Sequence, residues 1–335
     1  GTRYFVDAHT GLLHAQTPLA VHAQGRVYAM NSVETPNPVD VELVDLDVAD
    51  PQLLTGWGGL LTVTNYVSGG SQSSFTLEQT LQPNAGADFL YDPPADAGDP
   101  TDGFAQVNLY HHLTSMKTFG AALGVPIDKP GWKLTAVANA QEGGQPLDNA
   151  FFSPMGQTGT FAAPNLIAIG QGTINDFSYD SDVFKHEFIH YFTHNAVGYN
   201  LGQLFTNAYG LQPHSGSIDE GVADYFACSD NDDAELGEAS LGLLGAERDL
   251  TDTSRTCPTD VLGEVHEDGE LIGSRAWSVR TELGKDLGDS VVWGAVAALT
   301  PGATLGEFGR ALVARAEELE SMGSLTAANV TAIQG

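Results

Sequence analysis

Two histidines four residues apart, His186 and His190, with Glu187 between them, constrain this chain more than any other feature. The segment around them, Asp182 to Asn195, reads as helix, and on an α-helix positions i and i+4 lie about 40° apart around the axis. Both imidazoles can then converge on one metal ion while Glu187 projects to the side, toward a bound water. Any fold that uses this arrangement must bring another ligand to the same point from a different element. A catalytic zinc site takes three protein ligands and keeps one position open.

That further ligand is expected at Glu220. It stands thirty residues after His190, on an apparent second helix running from Ser217 to Ala227, with Asp224 one turn further on. A carboxylate from a neighbouring helix completes a zinc site, and Asp224 is placed to accept the far N–H of a zinc-bound histidine and fix its tautomer. His194 and His214 are the competing ligands. Three histidines at i, i+4 and i+8 on one straight helix cannot all reach an ion within about 2.1 Å, which sets His194 aside. His111 and His112 fall in a separate helical segment, Phe104 to Leu123, and read as packing or surface residues.

The pattern His186-Glu187-x-x-His190 with Glu220-Gly-x-x-Asp224 resembles the gluzincin metallopeptidases, specifically the thermolysin and fungalysin families. Three further segments extend the likeness in the same order along the chain. Asp148-Asn149-Ala150-Phe151-Phe152 is similar to the edge strand that hydrogen-bonds the substrate backbone, which assigns Asn149 and Ala150 to substrate binding. Arg248-Asp249-Leu250-Thr251-Asp252 is similar to the segment whose arginine contacts the developing oxyanion. Glu264-Val265-His266-Glu267-Asp268-Gly269-Glu270-Leu271 resembles the stretch whose histidine steadies the tetrahedral intermediate. Asp182 with Asp233, Glu235 and Glu238 is similar to the calcium site of thermolysin-like enzymes, and clustered carboxylates suit Ca²⁺. The chain departs from the family pattern at two points. Tyr199 is only the nearest candidate for the family's tyrosine after the zinc helix, and Asp260 sits one position away from the aspartate that orients the second histidine.

The resemblance implies a secreted zinc endopeptidase acting on peptide or protein substrates, with Zn²⁺ on His186, His190 and Glu220 and with Glu187, Arg248 and His266 as catalytic residues. Two alternatives stand beside it. A gluzincin aminopeptidase needs an acidic anchor for the substrate's free amine, and no G-x-M-E-N type segment is visible. A secreted binding domain that keeps zinc only for structure would gain nothing from Glu187.

Composition narrows the partners. Forty-three acidic against thirteen basic residues give a net charge of −30, which repels nucleic acid and anionic membranes. No run of about 18 uninterrupted apolar residues is present, so no membrane-spanning segment is expected. With 335 residues, 42% of them hydrophobic, the chain can bury a large core. The expected fold is α+β, thermolysin-like, and monomeric: a β-rich lobe over residues 1–183 and a mainly helical lobe over 184–335, with the zinc helix on the floor of the cleft between them. Short β-prone runs such as Val39 to Val44 and Gly59 to Thr64 support the first lobe. Helical patterns at Gly273–Leu287, Ser290–Leu299 and Leu305–Leu319 support the second.

Residues 1–35 include a stretch, Tyr4 to Leu13, that resembles the closing hairpin of the family's propeptides, and such a propeptide would be an inhibitor partner. Gly1-Thr2-Arg3-Tyr4 lacks the charged and apolar regions of a signal peptide and reads as a processed start. An extracellular location, or the cell surface if a further C-terminal segment exists, is the expectation. For an exported chain, Cys228 and Cys257 are expected to join, closing a loop of about 30 residues worth roughly 3–4 kcal/mol.

Overall fold

The computed structural model describes residues 2–18, 22–49, 51–67, 76–96, 98–154, 165–198, 205–207, 210–212 and 214–334. It is a mixed α+β chain that divides into two compact units. Gly1–Ser115 and Ile127–Ser181 form the first; Met116–Pro126 and Asp182–Gly335 form the second.

The first unit is organised by a mixed sheet of seven described strands. Leu61–Val67 pairs in parallel with Leu134–Glu142, which pairs in parallel with Leu166–Gly170. Every residue from Leu134 to Ala140 and from Leu166 to Gly170 is buried, as expected of parallel strands covered on both faces, which carry continuous apolar runs instead of alternation. Parallel neighbours need a long crossover. Between the first two strands it runs through helix α1 (Gly103–Ala122). Asp102 caps this helix, its Oδ1 accepting from the Phe104 N–H at 2.8 Å. Inside the first unit α1 is tied down by buried polar side chains. Asn108 accepts from the Tyr28 N–H and donates to the Ser178 carbonyl, and His112 Nε2 lies 3.0 Å from the Tyr28 carbonyl oxygen. His112 is therefore a satisfied core histidine. Ala150–Ser153 pairs antiparallel with Leu166–Gly170 and forms an outer edge of the sheet. Two hairpins stand apart from it, Thr2–Val6 with Leu13–Pro18 and Gln24–Val27 with Val39–Glu42.

The second unit is helical: α2 (Ser181–Val197), α3 (His214–Asn231), α4 (Val265–Leu283), α5 (Lys285–Ala298), α6 (Leu305–Ser321) and α7 (Ala327–Gln334). Helix α2 buries apolar residues all round, including Phe184, Phe188, Ile189, Tyr191 and Phe192, the pattern of a helix inside a core. Trp293 of α5 packs against Phe192 of α2 and Phe226 of α3, with ring centroids 4.7 and 6.4 Å away. Helices α3 and α4 meet on a glycine seam. A Cβ on Gly221 would lie 2.2 Å from the Gly269 carbonyl oxygen, and one on Gly269 would lie 3.0 Å from Glu220 Cβ. The two backbones can approach this closely only because neither position carries a side chain.

Two expectations are corrected here. The helix expected from Gly273 begins eight residues earlier, at Val265; Gly269 and Gly273 are interior packing positions on α4, not breakers. The expected disulfide is absent: Cys228 and Cys257 are free thiols. Cys228 is buried in α3 with its Sγ 3.8 and 3.6 Å from the Ala234 and Glu235 carbonyl oxygens, whereas Cys257 is exposed. Among the described residues no helix is long and apolar enough to cross a membrane.

Candidate metal centre

The site is assembled from α2, α3 and the start of α4, all within the second unit. His186, Glu187 and His190 lie on α2 and are buried, with 8%, 7% and 3% exposure; Glu220 on α3 has 6%. The His186 and His190 Nε2 atoms face each other at 2.9 Å, and Glu220 Oε2 lies 3.2 Å from the first and 3.4 Å from the second. A tetrahedral ion bound at about 2.0–2.1 Å holds its ligand atoms about 3.3 Å apart, so these three atoms have the spacing of one face of such a site. The chemistry of the donors agrees with the geometry. Glu220 Oε2 is buried and has no hydrogen-bond partner, a costly state for a carboxylate oxygen unless a cation faces it. His186, His190 and Glu220 thus form a buried group able to hold a metal ion.

Around these three, a further ring of charged groups orients them. Asp224 Oδ1 lies 2.8 Å from His186 Nδ1, in the position expected from its spacing. Asp219 does the same for His190: its Oδ2 is 3.0 Å from His190 Nδ1, while its Oδ1 accepts from Thr193 Oγ1 at 2.6 Å. Sequence reasoning missed Asp219. The available signal was an acid immediately before the expected ligand, on a helix already carrying Glu220 and Asp224. With both Nδ1 atoms facing carboxylates, both Nε2 atoms are turned toward Glu220.

Burial disfavours charge on His186, and neighbouring His190 opposes it too, yet Asp224 and Glu220 outweigh both and push its pKa up to about 9. His190 is raised well above the ordinary histidine range: burial opposes the charge, but Glu220 and Asp219 prevail. Glu220 is held well below the usual carboxylate range, since the two histidines overcome its burial. The site therefore demands positive charge at its centre, which imidazole protons or a metal cation supply in competition.

Arg248 is largely buried, and its Nη1 donates to Asp224 Oδ1 at 2.5 Å. It thus anchors the carboxylate that faces His186. His266 lies in the first turn of α4. Its Nε2 is 3.6 Å from Glu220 Oε2, and it stands outside the three-residue metal group. Asp260 accepts from Thr256 N and Oγ1. Tyr199 lies outside the described residues.

Of the expected calcium residues, Asp182 is buried and accepts from the Gly237 N–H at 3.0 Å. Burial, reinforced by Asp182 and Asp233, pushes the Glu238 carboxyl up to about 8. Asp233 and Glu238 are half-buried and Glu235 is exposed, its N–H donating to Asp233 Oδ1 at 3.1 Å. In the first unit Asn149 is exposed and Ala150 opens the outer strand of the sheet; Asn149 Oδ1 accepts from the Ala150 N–H. Comparison with protein-family models and with curated proteins finds no match to this chain.

Proposed function

We propose that this chain is a secreted zinc-dependent endopeptidase of the gluzincin type. The observation that carries the reading is the convergence of His186, His190 and Glu220 on one buried point, with an unpartnered Glu220 oxygen there and Glu187 beside the first histidine. These three residues would hold the zinc. When bound, it supplies Lewis acidity toward a scissile carbonyl and a lowered pKa for water.

The chain's own residues do the rest. Glu187 takes the proton of the attacking water and later delivers it to the leaving amine. Arg248 and His266 place positive charge and a donor toward the oxygen that becomes negative as the carbonyl turns tetrahedral, where one well-placed donor contributes about 3–4 kcal/mol. Asp219 and Asp224 keep the imidazoles in register. Asn149 and Ala150 pair with an extended peptide in the manner of an added strand. Asp182, Asp233, Glu235 and Glu238 are the proposed Ca²⁺ residues.

The test is hydrolysis by the zinc-loaded protein of matched peptides, one N-blocked and one with a free amine. Cleavage of the N-blocked peptide at an internal bond is expected. Cleavage restricted to the free-amine peptide makes the protein an aminopeptidase, and no cleavage of either across a mixed peptide library overturns the reading.

A further inference from the structure

The geometry points to a cavity in the first unit as a binding site for a neutral saccharide. Every residue that lines it belongs to that unit and none belongs to the metal centre, so the inference goes beyond the peptidase reading and does not depend on it.

The cavity has a volume of about 510 Å³, inside the range of roughly 300–1,000 Å³ usual for small-molecule sites. It lies at the carboxyl ends of the parallel strands Leu61–Val67 and Leu134–Glu142, beside the first turn of α1. Open sheets with parallel strands leave their ligand crevices at this end. Its wall carries the amides of Gln82, Gln106 and Gln141, the hydroxyls of Thr80 and Thr101, and the ring of Tyr91. Gln106 is only 3% exposed, and its Nε2 donates to the Asp102 carbonyl at 3.3 Å. A carbonyl oxygen only accepts, so this contact turns the amide one way and leaves Oε1 an acceptor with no partner among the described residues. Gln141 is held by the fully buried Gln171, whose Oε1 accepts from Gln141 Nε2 at 3.0 Å. Tyr91 is fixed at both ends. Its O–H donates to the Gln82 carbonyl at 2.7 Å, and its ring packs on Gly103, where a Cβ would lie 2.6 Å from Tyr91 Cδ1. Asn65 shares the wall but is spent inside the protein, donating to the Tyr66 and Pro100 carbonyls and accepting from Asn139.

What such a wall selects follows by exclusion. No lysine or arginine lines it, so a phosphate or carboxylate finds no counter-charge. Glu78 is its one carboxylate, too few for a hard cation. A wholly apolar ligand would cover the Gln106 acceptor and leave it unpaired, at a cost. Neutral hydroxyls, each a donor and an acceptor, match amides that offer both. The Tyr91 ring adds apolar surface for the C–H face of a sugar. A ligand without charge is also not repelled by the net charge of −30. A peptide shares part of this chemistry, but an extended backbone is read by the backbone of a strand edge, whereas the contacts on offer here are side-chain amides.

The test titrates the full chain, by saturation-transfer NMR and calorimetry, with glucose, galactose and mannose, with the matching uronates, and with a blocked dipeptide amide. At least one neutral sugar is expected to bind, and its uronate at least tenfold more weakly. Two substitutions locate the site. Gln106→Leu keeps the size of the side chain and removes the acceptor, and the Asp102 carbonyl retains its N–H from Asn139 Nδ2 at 3.1 Å. Gln82→Ala changes an exposed side chain and decides the matter if Gln106→Leu fails to fold. Each should weaken sugar binding about three- to tenfold, the worth of one hydrogen bond. Failure of every neutral sugar to bind overturns the proposal. So does a uronate that binds as tightly as its sugar, a dipeptide amide that binds where the sugars do not, or an affinity unchanged by both substitutions.

Discussion

At the residue scale, the centre depends on side chains whose tasks separate cleanly by measurement. Glu187→Gln preserves shape and removes only the proton acceptor. It should leave one zinc per chain and lower kcat by 10²–10⁴-fold or more, checked by steady-state kinetics beside metal analysis. Asp219→Ala removes the carboxylate at His190 Nδ1 and leaves that ring without its anchor. Metal affinity should drop roughly 10–100-fold, read by competition with a chelator, while Asp219→Asn should recover most of it. Unaltered affinity in Asp219→Ala would show that His190 is oriented by packing alone.

At the element scale, the glycine seam between α3 and α4 decides where Glu220 stands relative to the histidines. Gly221→Ala places a methyl against the backbone of Gly269, with no flexible side chain to give way. The helices must separate, at a cost of about 1–3 kcal/mol, and Glu220 moves with its neighbour. Denaturant unfolding should record the lost stability and chelator competition a metal affinity at least tenfold weaker. Native affinity in a destabilised variant would mean that the seam serves stability only. The two cysteines lead to an opposite expectation. Because Cys257 is exposed and unlinked, Cys257→Ser should change stability by no more than about 0.5 kcal/mol, and reductant should leave the Tm unchanged.

At the scale of the whole molecule, the proposed metal and the chain's buried protons are each expected to enter the stability. A metal that binds only the folded chain stabilises it by about 4 kcal/mol when present at 1,000 times its Kd. Chelation should therefore lower the Tm, and restoring the metal should recover it. One such proton sits on Asp102 in the first unit. Burial raises its pKa from 3.8 to about 6, against the opposing hydrogen bond from Tyr179. The folded state binds this proton more tightly than the unfolded chain does. The stabilisation is complete below about pH 3.8 and is lost as pH rises through about 6. Asp102→Asn removes this dependence and keeps a competent cap. Relative to the native chain it should gain on the order of 3 kcal/mol between pH 4 and 7. A stability difference that stays flat across that range would remove Asp102 as the cause.

Much of the centre is legible in the sequence because it is written in local spacing. The helical repeat alone puts His186 and His190 on one face, and the same repeat relates Glu220 to Asp224; both pairs follow from 3.6 residues per turn. Helices α1, α2 and α6 are readable for the same reason, with boundaries close to those observed. The features that escaped are those whose cause lies elsewhere in the chain. Gly269 and Gly273 look like helix breakers until α3 is packed against them, and the parallel strands hide their periodicity because both faces are covered. Cys228 and Cys257 look like partners until one is buried inside a helix and the other left in solvent. Asp219 is an ordinary acid by composition and gains its task only through neighbours that folding supplies. By itself the sequence determined which residues can chelate a metal and on which helices they lie. Only the tertiary structure decided which carboxylates orient them, because those contacts depend on how helices pack rather than on residues per turn.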